Sequence, residues 1–269
     1  MKYIAHNCIH MTRVAWMSLR VALLHELQYR AHLALQLVQT AVSLVMACGS
    51  LAVVYSHGSS LNGWNANELL LLVAMFMMVQ GVVGAVIQPS LKLLMNQVRQ
   101  GTLDFALLKP ADSQFIVSVQ RIDPWKLVDV LAGLALLVVA IMRIPGVPTA
   151  VGIAQFAVLA GAGMVCLYSA WIALATLVFW FVRAGELLDI ARCTFEAGRW
   201  PVGLYPTWLK AGVTFIVPVG FAISLPVSSL TDGVSWQWTM ASIGYACVAT
   251  AVSRTAWRVS VRHYSGASA

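Results

Sequence analysis

Charge is what this sequence lacks most. Only 10% of its 269 residues are Asp, Glu, Lys or Arg, while 60% are hydrophobic; a water-soluble domain carries roughly a quarter charged residues. A chain this poor in charge cannot cover a water-facing surface, which excludes an ordinary soluble domain. Catalytic signatures are missing as well. There is no Gly-x-x-x-x-Gly-Lys-Ser/Thr loop to cradle ATP phosphates, no His-Glu-x-x-His pair and no Gly-x-Ser-x-Gly nucleophile elbow. The acidic residues number ten and are scattered, so paired carboxylates for acid–base work are not in sight. The chain reads as a non-enzyme without a cofactor of its own. Cysteine gives no help: Cys8, Cys48, Cys166, Cys193 and Cys247 lack metal-ligand spacing and read as small apolar residues. His6-Asn7-Cys8-Ile9-His10 has no further ligand pair nearby to complete a metal site. A cleavable secretory leader is not expected either, because no small-residue site follows a short apolar region at the start.

Long apolar runs fill the space that charge leaves. Runs of about 18 or more apolar residues mark transmembrane helices, and they define an all-α polytopic membrane protein forming one domain over 1–269. Residues 1–32 precede the first span. Within them, Met11 to Arg30 carries Val14, Met17, Val21 and Leu24 at helical spacing, with Arg13 and Arg20 on another face. It reads as an interfacial amphipathic helix or as an extension of the first span. Spans are expected at about Leu33–Tyr55, Leu69–Ile87 (ending at Pro89), Leu127–Ile144, Val151–Val182 and Trp236–Trp257. The loop at 57–63 has no Lys or Arg, whereas the loop at 92–126 and the tail from Arg258 to His263 are basic. Cytoplasmic loops of membrane proteins carry the excess of Lys and Arg. The net charge of +7 is thereby explained without nucleic acid, and both termini are placed in the cytoplasm with an even number of spans.

Residues 183–229 allow two arrangements. Glu186, Asp189, Arg192, Glu196 and Arg199 recur at spacings of three and four, while Pro218 and Pro226 interrupt the apolar run that follows. Either the charged helix stays cytoplasmic and about 209–230 cross, or about 186–204 cross and 207–230 form a broken re-entrant hairpin. The distribution of basic residues favours the first; the prolines favour the second, since broken helices at membrane depth need cover from protein or a cavity. Each gives six crossings.

Val98 to Phe115 (VRQGTLDFALLKPADSQF) is the most informative stretch. Gly101 and Pro110 bracket a short helix for which Thr102 is the expected N-cap, with Asp104 in the first turn where its charge suits the helix dipole. Leu103 and Leu107 share a face, with Phe105 and Leu108 beside it. Such a helix either docks in a partner's groove or lies flat on the lipid surface. Gln36 and Gln39, with Thr40 and Ser43, either face a transport cavity or bond a neighbouring helix. Trp64, Trp125, Trp236 and Trp257 read as interfacial anchors near span ends.

Arg99-Gln100-Gly101-Thr102-Leu103-Asp104 followed by Leu107-Leu108-Lys109-Pro110 resembles the stretch after the second span of ABC-2-type export permeases. Trp200-Pro201-Val202-Gly203-Leu204-Tyr205-Pro206, Ile216-Val217-Pro218 with Leu225-Pro226, and Trp257-Arg258 through Arg262-His263-Tyr264-Ser265-Gly266 are similar to that family too. The resemblance is to a bacterial branch and covers nearly the whole chain. It implies a permease subunit of the bacterial inner membrane, with six spans and a re-entrant element before the last. It also implies a coupling helix at about 99–110 that seats in a separate ABC ATPase, where ATP and Mg would be bound. A second permease chain, identical or related, would complete the transporter. The competing reading is an ion-coupled carrier or channel using Glu186, Asp189, Arg192 and Glu196, because intramembrane ionisable residues are functional candidates. A membrane-embedded enzyme would need paired carboxylates or a His cluster at one depth, and the sequence offers neither.

Overall fold

The computed structural model describes residues 17, 18, 20, 21, 24, 30–56, 63–109, 112–144, 149–181, 184–231 and 233–264. The expected interfacial helix over Met11–Arg30 falls largely outside these residues, as do Pro110 and the turn at 145–148. Among the described residues every regular element is helical. Four of the helices are long and apolar enough to cross a membrane.

Helix α1 (Arg30–Ser56) leads to α2, which runs without interruption from Ala66 to Gln100. The start of α2 is fixed by Glu68, whose carboxylate accepts the Asn65 N–H at 2.9 Å. Its N-terminal half is apolar and largely buried: Leu71, Leu72, Ala74 and Val83 are inaccessible, as expected for the central helix of a bundle. The expected end at Pro89 does not occur. Residues Val83–Ile87 form a π turn immediately before it, so the backbone shift that accommodates the proline ring and its missing N–H has already been made. The helix then continues through Gln88–Gln100. Gly101, at φ +69°, closes it, with the Thr102 N–H bonded back to Gln97 O at 2.9 Å. At 1.5 Å per residue, α2 is about 50 Å long, well beyond the ~30 Å of bilayer hydrocarbon.

After a single-turn helix α3 (Asp104–Leu107) and α4 (Ser113–Val119) come α5 (Leu127–Arg143) and α6 (Ala150–Thr176). Helix α5 lies against α2 at glycine contacts: a Cβ on Gly133 would meet the Met78 backbone at 2.8 Å, and one on Gly81 the Val130 backbone at 2.8 Å. The last helix, α10 (Trp236–Arg262), packs alongside α6, with the Gln155 amide on Val234 O at one end and Phe179 edge-on to Tyr264 at the other.

Neither 186–204 nor 209–230 forms one continuous helix. Helix α7 (Ala184–Glu196) starts beside Arg99 at the end of α2, turns Leu188, Ala191 and Phe195 inward, and ends where Phe195 stacks on Phe76 at 5.5 Å. Two short arms follow: α8, Thr207–Ala211 extended by a π turn over Gly212–Ile216, and α9, Gly220–Leu230. They meet at Val217-Pro218-Val219, because Pro218 cannot continue the hydrogen-bond ladder. The junction packs on Gly198, where an added Cβ would lie 2.1 Å from Val219. From there α9 crosses Gly163, whose Cβ position is 2.3 Å from Ala222 Cα and 2.6 Å from Phe221 O.

Gly163→Ala is therefore expected to lower thermal stability in detergent by about 1–3 kcal/mol, the cost of overpacking against immovable backbone. Gly161→Ala, with nothing within 4 Å of its Cβ position, should be neutral or slightly stabilising through helix propensity. Equal melting of the two variants would contradict this packing.

Candidate functional site

The polar segment after α2 is built on the end of that helix. Arg99 lies in its last turn, and Gly101 reverses the chain in the left-handed conformation. Thr102 does not act as the N-cap: the helix begins one residue later than expected, at Asp104, so Leu103 occupies the capping position, with no side-chain bond, while the Thr102 N–H closes α2 on Gln97 O. The helix is also shorter than expected, a single turn whose Leu107 and Leu108 N–H groups bond to Leu103 O at 3.1 Å and Asp104 O at 3.0 Å. Asp104 stands in that turn. Its apolar residues divide in two directions. Leu103 and Ala106 are buried and Leu107 is partly buried against the core, while Phe105 is 74% exposed and Leu108 80% exposed. Lys109 is exposed beside them.

A mount secures this turn to the far end of the chain. The Asp112 carboxylate accepts the Phe115 N–H at 3.1 Å and caps α4. The same carboxylate takes both terminal nitrogens of Arg254, one of them at 2.8 Å, and so forms a bidentate pair between residues 142 positions apart. Arg254 also donates to Gln114 Oε1 at 3.2 Å. Trp257 donates its indole N–H to Ser113 Oγ at 3.0 Å, and the Ser118 hydroxyl meets Tyr168 Oη at 2.7 Å. Arg254 and Trp257 belong to α10 and Tyr168 to α6, so α4 is tied to both helices. Trp257 is only 3% exposed and is a structural donor here, not a lipid-facing anchor. Sequence reasoning missed this mount. Its one local signal is Arg254, a guanidinium that follows an uncharged run from Trp236 to Ser253 and calls for a partner.

The other expected residues do not form one site. Gln36 and Thr40 are buried and bond to Asp129 of α5, the amide at 3.2 Å, with Lys126 at 3.8 Å from the same carboxylate. They join α1 to α5. Gln39 points away and is exposed. Glu186, Asp189 and Arg192 are exposed on α7, whereas Glu196 accepts from the Gln80 amide at 3.2 Å and pairs with Arg199 at 3.4 Å. The Arg199 guanidinium sits 5.4 Å from the Phe76 ring centroid. The stripe of charges is thus divided between the end and the middle of the bundle. Among the described residues no three His, Cys, Asp or Glu side chains gather closely enough to hold a metal.

The hydrogen bond from Arg254 holds the Asp112 carboxyl below the usual carboxylate range, against the opposing effect of burial and with help from the Phe115 N–H. A depressed folded pKa gives stability that is present above the unfolded value and is lost as pH falls through the folded value. Asp112→Asn should cost about 1–2 kcal/mol at pH 7, discounted for the partial exposure of the pair. The melting temperatures of variant and parent should converge as the pH is lowered below about 4. A difference independent of pH would show that the charge of Asp112 is not what holds α4.

A family model described as ABC-2 family transporter protein matches residues 37–268. No curated protein and no solved structure matches the chain. The matched region takes in α2, the polar segment and its mount, the broken stretch at Pro218 and the last helix. The chain belongs to the ABC-2 transporter family and is a membrane protein of the permease type.

Proposed function

We propose that this chain is the permease subunit of an ATP-driven exporter, seated on a separate ATPase by the turn from Arg99 to Lys109 and paired with a second permease, identical or related. The family normally works with an ABC ATPase. The observation that carries the assignment of the docking turn is the exposure of Phe105 and Leu108, 74% and 80%, at the tip of a segment otherwise charged and polar. Two large apolar side chains held in water by buried neighbours call for an apolar groove on a partner.

The rest of the architecture supports the same reading. Helices α1, α2, α5, α6 and α10, with 184–230 as a composite crossing whose hairpin enters and leaves on one side, give six passes and leave both ends of the chain on the side of the docking turn. Lys92, Arg99, Lys109, Arg121, Lys126, Arg258 and Arg262 gather there, which makes that side cytoplasmic. Movement of the turn has two stiff routes into the membrane. One is the unbroken helix α2; the other is the pair Asp112–Arg254, which passes it to α10 and α6. ATP and Mg would act in the partner, and this chain's contribution is to receive the displacement and open the paired permeases.

Phe105→Asp with Leu108→Asp is expected to abolish association with the cognate ATPase and the stimulation of its hydrolysis. Insertion and melting of the permease should be unchanged, since neither side chain is packed inside. These positions are cleaner probes than Leu107, which touches the core. Undiminished association would overturn the docking role. A second variant, Arg254→Gln, should leave ATPase binding largely intact but weaken the coupling of hydrolysis to transport; full coupling would remove the pair from the route.

A further inference from the structure

A cavity lies outside the docking turn and its mount. It lies between α2, α6 and α7, has a volume of about 210 Å³, and is lined by Lys92, Trp171, Leu188, Asp189 and Arg192, among others. Its floor is apolar: Leu91 is 2% exposed, Trp171 2% and Leu188 6%. Its rim is charged. Lys92 stands one turn beyond Gln88 on α2, and Asp189 and Arg192 lie three apart on α7. None of these three charged groups forms an ion pair among the described residues. Two cations and one carboxylate leave the rim with an excess of positive charge. The indole N–H of Trp171, in the wall, has no acceptor either.

Depth decides what such a cavity can hold. The Asp123 N–H reaches Ala85 O at 2.7 Å and Ser90 Oγ reaches Arg121 O at 2.7 Å, so the polar loop returns to α2 at the height of Ala85 to Ser90, just before Lys92. Trp180 and Phe181, 45% and 59% exposed just beyond α6, add exposed aromatic surface beside the end of α10, where Trp180 meets His263 at 5.9 Å; such residues favour the headgroup level. The volume is below the roughly 300 Å³ at which pockets for whole drug-sized ligands begin. It suits a charged headgroup with its first methylenes, the remainder staying in the bilayer. Basic pockets between transmembrane helices on the cytoplasmic side are the setting in which anionic headgroups bind.

We propose that this cavity binds the phosphate-bearing headgroup of an anionic phospholipid from the inner leaflet, with Lys92 and Arg192 facing the phosphate and Leu91, Met95 and Leu188 receiving the glycerol and the first methylenes. A lipid seated here would touch α7 and the cytoplasmic third of α2 together. The inference rests on the membrane orientation proposed above but not on ATPase docking. The assay contains no ATPase, so failure of one reading leaves the other standing.

The test uses the full chain, purified and exposed to phosphatidylglycerol or phosphatidylcholine of the same acyl chains, with bound lipid counted by native mass spectrometry. The parent should retain phosphatidylglycerol preferentially. Lys92→Gln with Arg192→Gln should reduce that retention roughly ten- to thirtyfold, as expected for the loss of two cations near the membrane surface. Asp189→Asn should increase it. The single variants Lys92→Gln and Arg192→Gln, both at exposed positions, provide the same measurement if the double variant folds poorly. Equal retention of the two lipids, or retention insensitive to the cation variants, would overturn the proposal. So would displacement of the lipid by an equal concentration of soluble glycerol phosphate, because the site would then take a free anion.

Discussion

Everything at the end of the bundle that carries the polar turn depends on α2 remaining a helix through Pro89. In hydrocarbon, an unsatisfied backbone group costs several kcal/mol, and a proline inside a helix releases one. The π turn at Val83–Ile87 absorbs the defect within the helix. As a result the central, largely buried stretch from Leu69 to Val83 and the stretch on to Gln100 are a single rod. The turn that bears Phe105 and Leu108 is the end of a strut whose other end is the middle of the core.

A strut alone would leave the turn free to swing about Gly101. The carboxylate of Asp112 prevents this by serving two helices at once, capping α4 and pairing with Arg254 of α10. The surrounding bonds, Trp257 to Ser113 and Tyr168 to Ser118, share the load and are less sensitive to charge. The turn is therefore held from two sides by helices that are not neighbours in sequence. Partly exposed ion pairs contribute little to stability on average. The value of this one lies in geometry: a bidentate guanidinium–carboxylate contact fixes direction as well as distance.

The four spans that qualify on length and hydropathy were legible because hydrophobic run length is a local property: Leu33–Tyr55 was expected where Arg30–Ser56 is found, and Leu127–Ile144 where Leu127–Arg143 is found. The features that went astray each depend on something not local. Pro89 read as a stop because a proline reports its lost bond but not the π turn upstream that compensates for it. Thr102 read as an N-cap from residue type, yet the helix starts one residue later, because Thr102 still belongs to the closing turn of the preceding helix through its bond to Gln97. Gln36 left cavity and helix contact undecided until Asp129, 93 positions away, supplied the partner. Residues 183–230 stayed ambiguous because α7 and α9 each reach only part of the way through the bundle, and neither carries a full-length apolar signal. The apolar residues of the turn after α2 are half legible. The spacing puts Leu103 and Leu107 on one outward face with Phe105 and Leu108 beside it, but packing against the core takes Leu103 fully inward and Leu107 partly so, leaving only Phe105 and Leu108 outside.

The pairing of Asp112 with Arg254 also sets an order of events during synthesis. The turn bearing Phe105 and Leu108 leaves the ribosome long before Arg254 exists, and domains are generally assembled as the chain emerges. Until the last helix is inserted, α4 has no guanidinium to hold it and Ser113 has no indole to accept from. The mount of this turn is thus completed only by the C-terminal helix, so that a half-inserted chain carries Phe105 and Leu108 on a segment whose direction is not yet fixed.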